Sequence, residues 1–103
     1  MIYLTNGYVT LTSALGEFMI DIAGGSADNN ANVQIYHGYS GEAQQFAINT
    51  TSTNGVFEIA TKASNGEKVL DVANARTDAG ANVIQYARNG NQNQQWYFIA
   101  TSK

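Results

Sequence analysis

The sequence predicts an all-β fold, and three observations support that prediction. Short apolar stretches recur about every ten residues, and most of them alternate apolar with polar side chains or carry a β-branched run. Asn-Gly pairs, which are strong signals of tight turns, lie between several of these stretches. The second half of the chain also repeats the first. A chain of 103 residues has room for one small domain, which we place at residues 1–103.

Eight strands account for most of the chain. We predict them at residues 8–12, 18–23, 32–37, 45–49, 56–61, 68–73, 82–87 and 95–100. Asn-Gly pairs at 6–7, 54–55, 65–66 and 89–90 mark turns between them. Residues 26–32 and 74–81 are rich in Asn, Ala and Asp and are predicted to be loops, and no segment predicts a helix.

Composition argues against several classes of function. Only 13% of residues are charged, the net charge is −3 and no Lys/Arg cluster exists, so we expect no nucleic acid partner and no binding to anionic membranes. No apolar run approaches the length of a membrane span, and the first residues do not resemble a signal peptide. One histidine and no cysteine leave little for zinc or nucleophilic chemistry, so neither a metal nor a cofactor is expected.

An internal repeat organises the chain. Residues 16–48 align with residues 66–98 without a gap, and eleven of the 33 pairs are identical. The Asn-Gly pairs at 6–7 and 54–55 extend the correspondence upstream. We therefore predict two four-stranded repeats, at about residues 6–53 and 54–103.

One carboxylate takes the same place in both repeats. In Val69–Val72 the side chains of Leu70 and Val72 share one strand face, and Asp71 lies on the other. Asp21 has the same relation to Ile20 and Ile22. We therefore expect Asp21 and Asp71 to face outward, either to bind a ligand or to cap a turn.

The order Leu-Asp-Val, then Val-Ile-Gln-Tyr, then Asn-Gln-Gln-Trp resembles the ricin-type lectin repeat with its Gln-x-Trp signature. The resemblance covers almost the whole chain. It implies a β-trefoil, in which three such repeats close into a capped barrel. It also implies that Phe46 and Trp96 enter the core, while Gln44 and Gln94 tie down a turn or help to hold a site.

The family pattern implies a sugar-binding site in the second repeat, formed by Asp71, Tyr86, Asn93 and Gln94. An ionised carboxylate accepts strong hydrogen bonds from sugar hydroxyls, an amide both donates and accepts, and a tyrosine ring offers a face to sugar C–H bonds. Gln85 is a further candidate for a polar contact.

The first repeat offers Asp21, Tyr36 and Gln44 at the corresponding positions. It departs from the pattern because Ala43 stands where the second repeat has Asn93. The missing amide removes a hydrogen-bond partner worth about 1 kcal/mol. His37 and Tyr39 lie close enough in sequence to substitute for it, and we expect a weaker or altered site.

A β-trefoil needs three repeats, and this chain holds two. Residues 1–6 resemble residues 97–102 and are interpreted as the last strand of a missing preceding repeat. Two repeats alone would leave open strand edges. The chain is either a fragment of a longer module, a unit completed by oligomerisation (three chains pooling six repeats into two trefoils), or a barrel that closes with pseudo-twofold symmetry.

The resemblance implies non-catalytic carbohydrate binding, with a galactose-type or related hexose, or a polysaccharide, as ligand. We expect the parent protein to be secreted. The alternative is a trefoil module for protein interaction, of inhibitor or toxin-adaptor type, that has lost sugar binding. The glutamates are too scattered to form the paired carboxylates of a glycosidase, so the chain is not expected to be an enzyme, although it could target a larger one to its substrate.

Overall fold

The computed structural model describes residues 1–99, which form nine strands and four short 3₁₀ turns. The strands are β1 (Ile2–Tyr3), β2 (Val9–Thr10), β3 (Phe18–Ile22), β4 (Ala31–His37), β5 (Phe46–Thr50), β6 (Val56–Thr61), β7 (Lys68–Val72), β8 (Val83–Ala87) and β9 (Trp96–Tyr97). The 3₁₀ turns are Ala23–Gly25, Glu42–Gln44, Ala73–Ala75 and Gln92–Gln94. Within residues 1–99 no helix is long and apolar enough to cross a membrane.

All eight predicted strands are confirmed, and β1 lies within residues 1–6, which were interpreted as the last strand of a preceding repeat. The first and last predicted strands are shorter than expected, and residue 100 of the last one lies outside the described residues. β4 begins inside the segment predicted to be a loop at 26–32.

The strands pair antiparallel in the order β1-β2-β5-β6-β7-β8-β4-β3, and β9 pairs with β6. β3 with β4, and β7 with β8, form one hairpin in each repeat, with five residue pairs in each ladder. The two hairpins join where Ala31 lies opposite Gln85 and Asn32 opposite Ile84. An isolated bridge between Thr12 and Met19 links the chain after β2 to β3.

The Asn-Gly turn at 65–66 shows how local sequence sets a hairpin. Asn65 and Gly66 have φ of 60° and 84°. Asn followed by Gly tolerates positive φ at two successive residues better than most pairs do, which lets the chain turn tightly between the strands. The Gly66 amide closes the turn on the Thr61 carbonyl at 2.9 Å, which connects β6 to β7.

The core combines both repeats. Its buried members are Val9, Ile22, Phe46, Ile59 and Leu70. Phe46 is fully buried, and the half-buried Trp96 packs against the same cluster and donates its indole N–H to the Leu70 carbonyl at 3.3 Å. The expectation that these two aromatic residues serve the core is confirmed.

Candidate functional site

Each repeat carries a cavity that is lined by its aspartate, by the 3₁₀ turn that follows the aspartate's strand, and by the strand paired with it. The cavity of the second repeat has a volume of about 330 Å³ and is lined by Asn30, Asp71, Asn74, Ala75, Ile84, Tyr86, Asn89, Asn91 and Asn93. That of the first repeat has about 180 Å³ and is lined by Asp21, Gly24, Gly25, Gln34, Tyr36 and Tyr39. The structure thus brings Asp71, Tyr86 and Asn93 together, and likewise Asp21 and Tyr36.

Gln94 holds the residues of the second site in place through three hydrogen bonds of its side chain. Its side-chain amide donates to Oδ2 of Asp71 and to the Ala87 carbonyl, both at 2.9 Å, and its Oε1 accepts from the Asn89 amide at 2.9 Å. Gln94 is fully buried. It therefore holds the carboxylate and the loop after β8 together. The family pattern placed Gln94 among the sugar-binding residues; the structure places it behind Asp71 and not in the cavity lining, and its role in sugar binding stays a prediction.

Gln44 repeats the arrangement in the first site. It donates to Oδ2 of Asp21 at 3.0 Å and to the His37 carbonyl at 2.9 Å, and it accepts from the amides of Tyr39 and Ser40. It too is fully buried and is not part of the cavity lining, so its role in sugar binding likewise stays a prediction. The expectation that the two glutamines tie down a turn is confirmed.

The aspartates do not face solvent as the strand alternation predicted. Asp21 is 3% exposed and Asp71 is 4% exposed. The reason is that the turns Glu42–Gln44 and Gln92–Gln94 fold over the strand face that carries the carboxylates, which period-two alternation cannot show. Each carboxylate therefore lies at the inner end of its cavity.

The carboxylates of Asp21 and Asp71 differ in whether their Oδ1 atom already accepts a hydrogen bond. Oδ1 of Asp21 accepts a hydrogen bond from the Gln34 side chain at 3.1 Å. In the second repeat Ile84 occupies the position of Gln34, and Oδ1 of Asp71 accepts no hydrogen bond from any residue of 1–99. Asp71 thus offers an acceptor to the larger cavity, while both oxygens of Asp21 are already engaged.

The walls of the second cavity provide an aromatic face and amides. Tyr86 is 37% exposed. Asn93 donates from Nδ2 to the Val72 carbonyl at 3.2 Å, an internal bond that fixes its amide beside the cavity. Asn74 also lines the cavity and has a φ of 58°, a left-handed conformation that asparagine tolerates better than most residues.

Sequence reasoning missed the asparagines at 30, 74, 89 and 91. Asn74, Asn89 and Asn91 lie in loops of the second repeat. The first repeat has Gly24, Tyr39 and Gly41 at these positions, so a comparison of the repeats would have shown an excess of asparagine around the second site. Asn30 comes from the other repeat. Its place at the cavity follows from how the two hairpins meet, for which the sequence carries no local signal.

Two other candidates lie elsewhere. His37 is exposed and does not line the first cavity. Its ring centroid is 4.4 Å from that of Tyr36 and 6.0 Å from that of Tyr39, and both tyrosines line the cavity. Gln85 is fully buried between the repeats, so it offers no contact to a sugar. No group of His, Cys, Asp or Glu within residues 1–99 is arranged to hold a metal ion.

These features define a β-trefoil lectin type of domain. The family described as "Ricin-type beta-trefoil lectin domain-like" matches residues 2–86 and again residues 65–103. The chain belongs to this family, and both the resemblance and the trefoil-type fold expected from the sequence are confirmed. No match was found among curated proteins.

Three solved structures are similar to the chain. The designed 3-fold symmetric protein ThreeFoil is 35% identical with a TM-score of 0.86, and the match covers 93% of this chain and 66% of ThreeFoil. An exo-beta-1,3-galactanase, 1,3Gal43A from Clostridium thermocellum, is 20% identical with a TM-score of 0.89, covering 97% of this chain and 21% of that one. A structure described as "PSL1a-E64 complex" is 18% identical with a TM-score of 0.73, covering 87% and 33%.

The likeness to ThreeFoil decides how the two repeats are arranged. Nearly the whole chain superposes on two-thirds of a three-fold symmetric protein. The repeats therefore keep their trefoil positions, and of the three alternatives the barrel closed with pseudo-twofold symmetry does not describe this structure.

Proposed function

We propose that this chain binds carbohydrate without catalysis, chiefly through the second-repeat cavity around Asp71. The observation that carries the proposal is the free Oδ1 of Asp71, held at the inner end of a cavity with an exposed tyrosine on its wall. The family to which the chain belongs supports the same class of function.

The chemistry of the cavity suits a hexose. The fixed carboxylate accepts charge-assisted hydrogen bonds from adjacent hydroxyls of one sugar. The ring of Tyr86 packs against the C–H face of the pyranose, and the amides of Asn93 and its neighbours donate to or accept from the remaining hydroxyls. Such contacts are oriented, because Gln94 fixes the carboxylate and the Val72 carbonyl fixes Asn93. We propose a galactose-type or related hexose, alone or in a polysaccharide, as the ligand.

The first-repeat cavity is the weaker site in this proposal. Gln34 donates a hydrogen bond to Oδ1 of Asp21, whereas Oδ1 of Asp71 is free. Ala43, which is 6% exposed, supplies no side-chain amide. Tyr36 and Tyr39 still offer aromatic surface. We expect any sugar binding there to need a higher concentration than binding at Asp71.

Amide NMR spectra recorded during titration with galactose, lactose, glucose and xylose test the proposal. We expect one of the sugars to shift the amide signals of the residues around Asp71 and Asn93 in fast exchange. Asp71→Asn should abolish these shifts, because the amide that replaces the carboxylate loses the charge and one acceptor.

Asp21→Asn is the matched control, because it makes the same chemical change in the equivalent hydrogen-bonded position. It should leave the shifts at the second site unchanged. A well-dispersed spectrum that no sugar perturbs would overturn the proposal and direct the search to protein partners.

The chain spans 66% of ThreeFoil and 21% of the galactanase, so its role in a longer protein is a separate proposal. We propose that the parent protein is secreted. We also propose that it is a larger glycoside-degrading enzyme, in which this domain serves as the module that binds the substrate. Fusion of the chain to a fluorescent protein, followed by a pull-down on insoluble polysaccharides with the Asp71→Asn fusion as control, tests the targeting part.

A further inference from the structure

The contact between the two repeats shows how one repeat covers the hairpin of the next. The Asn30 amide donates to the Gln85 carbonyl at 2.8 Å, and Ala31 lies opposite Gln85 in the sheet. The side chain of Gln85 donates to the carbonyls of Ser26 and Asp28, each at 2.9 Å. The segment 26–32, which we call the covering loop, therefore buries Gln85 completely.

The same hairpin face of the first repeat is bare. Ile35 stands where the second repeat has Gln85, and it is 50% exposed. Phe18 stands where the second repeat has Lys68, and it is 42% exposed. Both lie on one face of the hairpin, since Ile35 pairs with Ile20, two residues from Phe18 on β3. The uncovered face is thus more apolar than the covered one, and leaving it in water is unfavourable.

Among residues 1–99, the loop of the second repeat that corresponds to the covering loop has no hairpin to cover. Residues 76–82 correspond to residues 26–32 and keep the identities Asp28/Asp78, Ala31/Ala81 and Asn32/Asn82. In the first repeat, pairing with the next hairpin extends β4 back to Ala31, whereas β8 begins only at Val83. Within residues 1–99 no strand pairs with Ala81 or Asn82.

We propose that copies of the 103-residue chain associate through these two surfaces. Residues 76–82 of one copy dock on the face of Phe18 and Ile35 of another, and the internal contact between the repeats supplies the register. By that register Gly80 donates to the Ile35 carbonyl, Ala81 lies opposite Ile35, and Asn82 lies opposite Gln34. The proposed occupant of the bare face is a second copy of this chain, because residues 76–82 correspond to the loop that covers the equivalent face of the second repeat.

The number of copies follows from geometry. A rigid second copy cannot fill the vacant third of a trefoil, because its other repeat would overlap the first copy. Three chains provide six repeats, which complete two trefoils if one chain opens at residues 51–55 and places one repeat in each. Such an assembly also adds a wall to each first-repeat cavity at the place that Asn30 takes at the second cavity, formed by Gly80 in two of the chains and by Asn30 in the third.

Sedimentation equilibrium at several protein concentrations tests the assembly. We expect a particle of three times the 11.1 kDa chain mass. Ile35→Glu should shift the mass to that of one chain, because the contact would bury an unpaired charge. Leu15→Glu is the control, since Leu15 is 80% exposed in the turn before β3 and should leave the trimer intact. A wild-type chain that sediments as a monomer at every concentration while giving a dispersed NMR spectrum would overturn the proposal.

Cysteine cross-linking tests the register independently of whether Ile35→Glu folds. The chain has no cysteine, so introduced ones report without background. A mixture of Ile35→Cys and Ala81→Cys chains should form a disulfide-linked dimer on mild oxidation, whereas Ile35→Cys mixed with Leu15→Cys should not. Absence of the first cross-link in a sample that sediments as a trimer would overturn the proposed contact. Neither measurement involves sugar, so the result stands apart from that of the binding titration.

Discussion

The side-chain amide of Gln94 lies 2.9 Å from the carboxylate of Asp71, and Gln44 lies 3.0 Å from Asp21 in the same geometry. In both repeats the two residues are 23 positions apart. The aromatic residue two positions after each glutamine packs in the core, as Phe46 and Trp96 do. A single short segment therefore fixes the aspartate carboxylate on one side and contributes an aromatic side chain to the hydrophobic core on the other.

Replacing Gln94 should damage stability and binding together. Gln94→Leu removes three hydrogen bonds and leaves the Asp71 carboxylate and the Ala87 carbonyl without their buried partner. We expect the free energy of unfolding to fall by about 3 kcal/mol, since unsatisfied buried groups cost more than the bonds themselves contribute. Urea unfolding measures the loss.

Gln95→Leu is the matched control for that experiment. Gln95 makes one long side-chain bond, to the Gly90 carbonyl at 3.3 Å, near the surface. Its replacement should change the free energy of unfolding by about 0.5 kcal/mol or less. Equal losses for the two variants would contradict the anchoring role of Gln94.

Placing the first-repeat residue Gln34 at the equivalent position of the second repeat should weaken sugar binding at the second site. Ile84→Gln places an amide where Gln34 stands in the first repeat, and there it would occupy Oδ1 of Asp71. We expect sugar affinity at the second site to fall about tenfold, because a hydrogen bond to a charged group contributes around 1.5 kcal/mol. Isothermal titration or NMR titration measures the change.

The converse change belongs in the first repeat. Gln34→Ile frees Oδ1 of Asp21, and Ala43→Asn supplies the amide that the first repeat lacks. The double variant should gain a second binding event, seen as new shifts around Asp21. If Ile84→Gln binds sugar as tightly as the wild type, the free oxygen of Asp71 is not what the ligand uses.

The core positions of the two aromatic residues predict different costs. Phe46 is fully buried, so Phe46→Ala should destabilise by about 4 kcal/mol through lost burial and the cavity left behind. Trp96→Phe keeps most of the apolar contact and loses the bond to the Leu70 carbonyl, which should cost about 1 to 2 kcal/mol. Urea midpoints should rank the variants in this order, and the reverse order would contradict the assignment of Phe46 to the centre of the core.

Gln85 should govern the contact between the repeats. Its Oε1 accepts from the Thr61 hydroxyl at 2.6 Å, and its amide holds the carbonyls of Ser26 and Asp28. Gln85→Ala should loosen the covering loop and speed hydrogen exchange at the Asn30 amide, whose acceptor is the Gln85 carbonyl.

Exchange at the Gly66 amide serves as the internal reference for Gln85→Ala. That amide closes the β6–β7 turn by a backbone bond within the second repeat and should keep its opening equilibrium relative to global unfolding. Uniform acceleration of both amides would mean that the substitution lowers global stability and does not act on the contact alone.

Much of the fold could be read from the sequence because it depends on local signals. Alternation of apolar side chains and Asn-Gly turns predicted all eight strands, and the ungapped match of residues 16–48 to 66–98 predicted the two repeats. The site was located in part: Asp71, Tyr86 and Asn93 do meet at one cavity. The burial of Asp71 and the inward positions of Gln94 and Gln85 could not be predicted, because they depend on segments that fold over a strand from elsewhere in the chain.

The sequence by itself determined the strand order along the chain, the repeat and the residue types at the site, since these follow from side-chain periodicity and turn preferences of neighbouring residues. Tertiary structure decided which carboxylate oxygen is free. The difference between Asp21 and Asp71 comes from Gln34 and Ile84, residues on the paired strand whose side chains reach across the hairpin. It also decided that Asn30 joins the second cavity and that Ile35 is left bare, because contacts between repeats arise only when the hairpins are packed side by side.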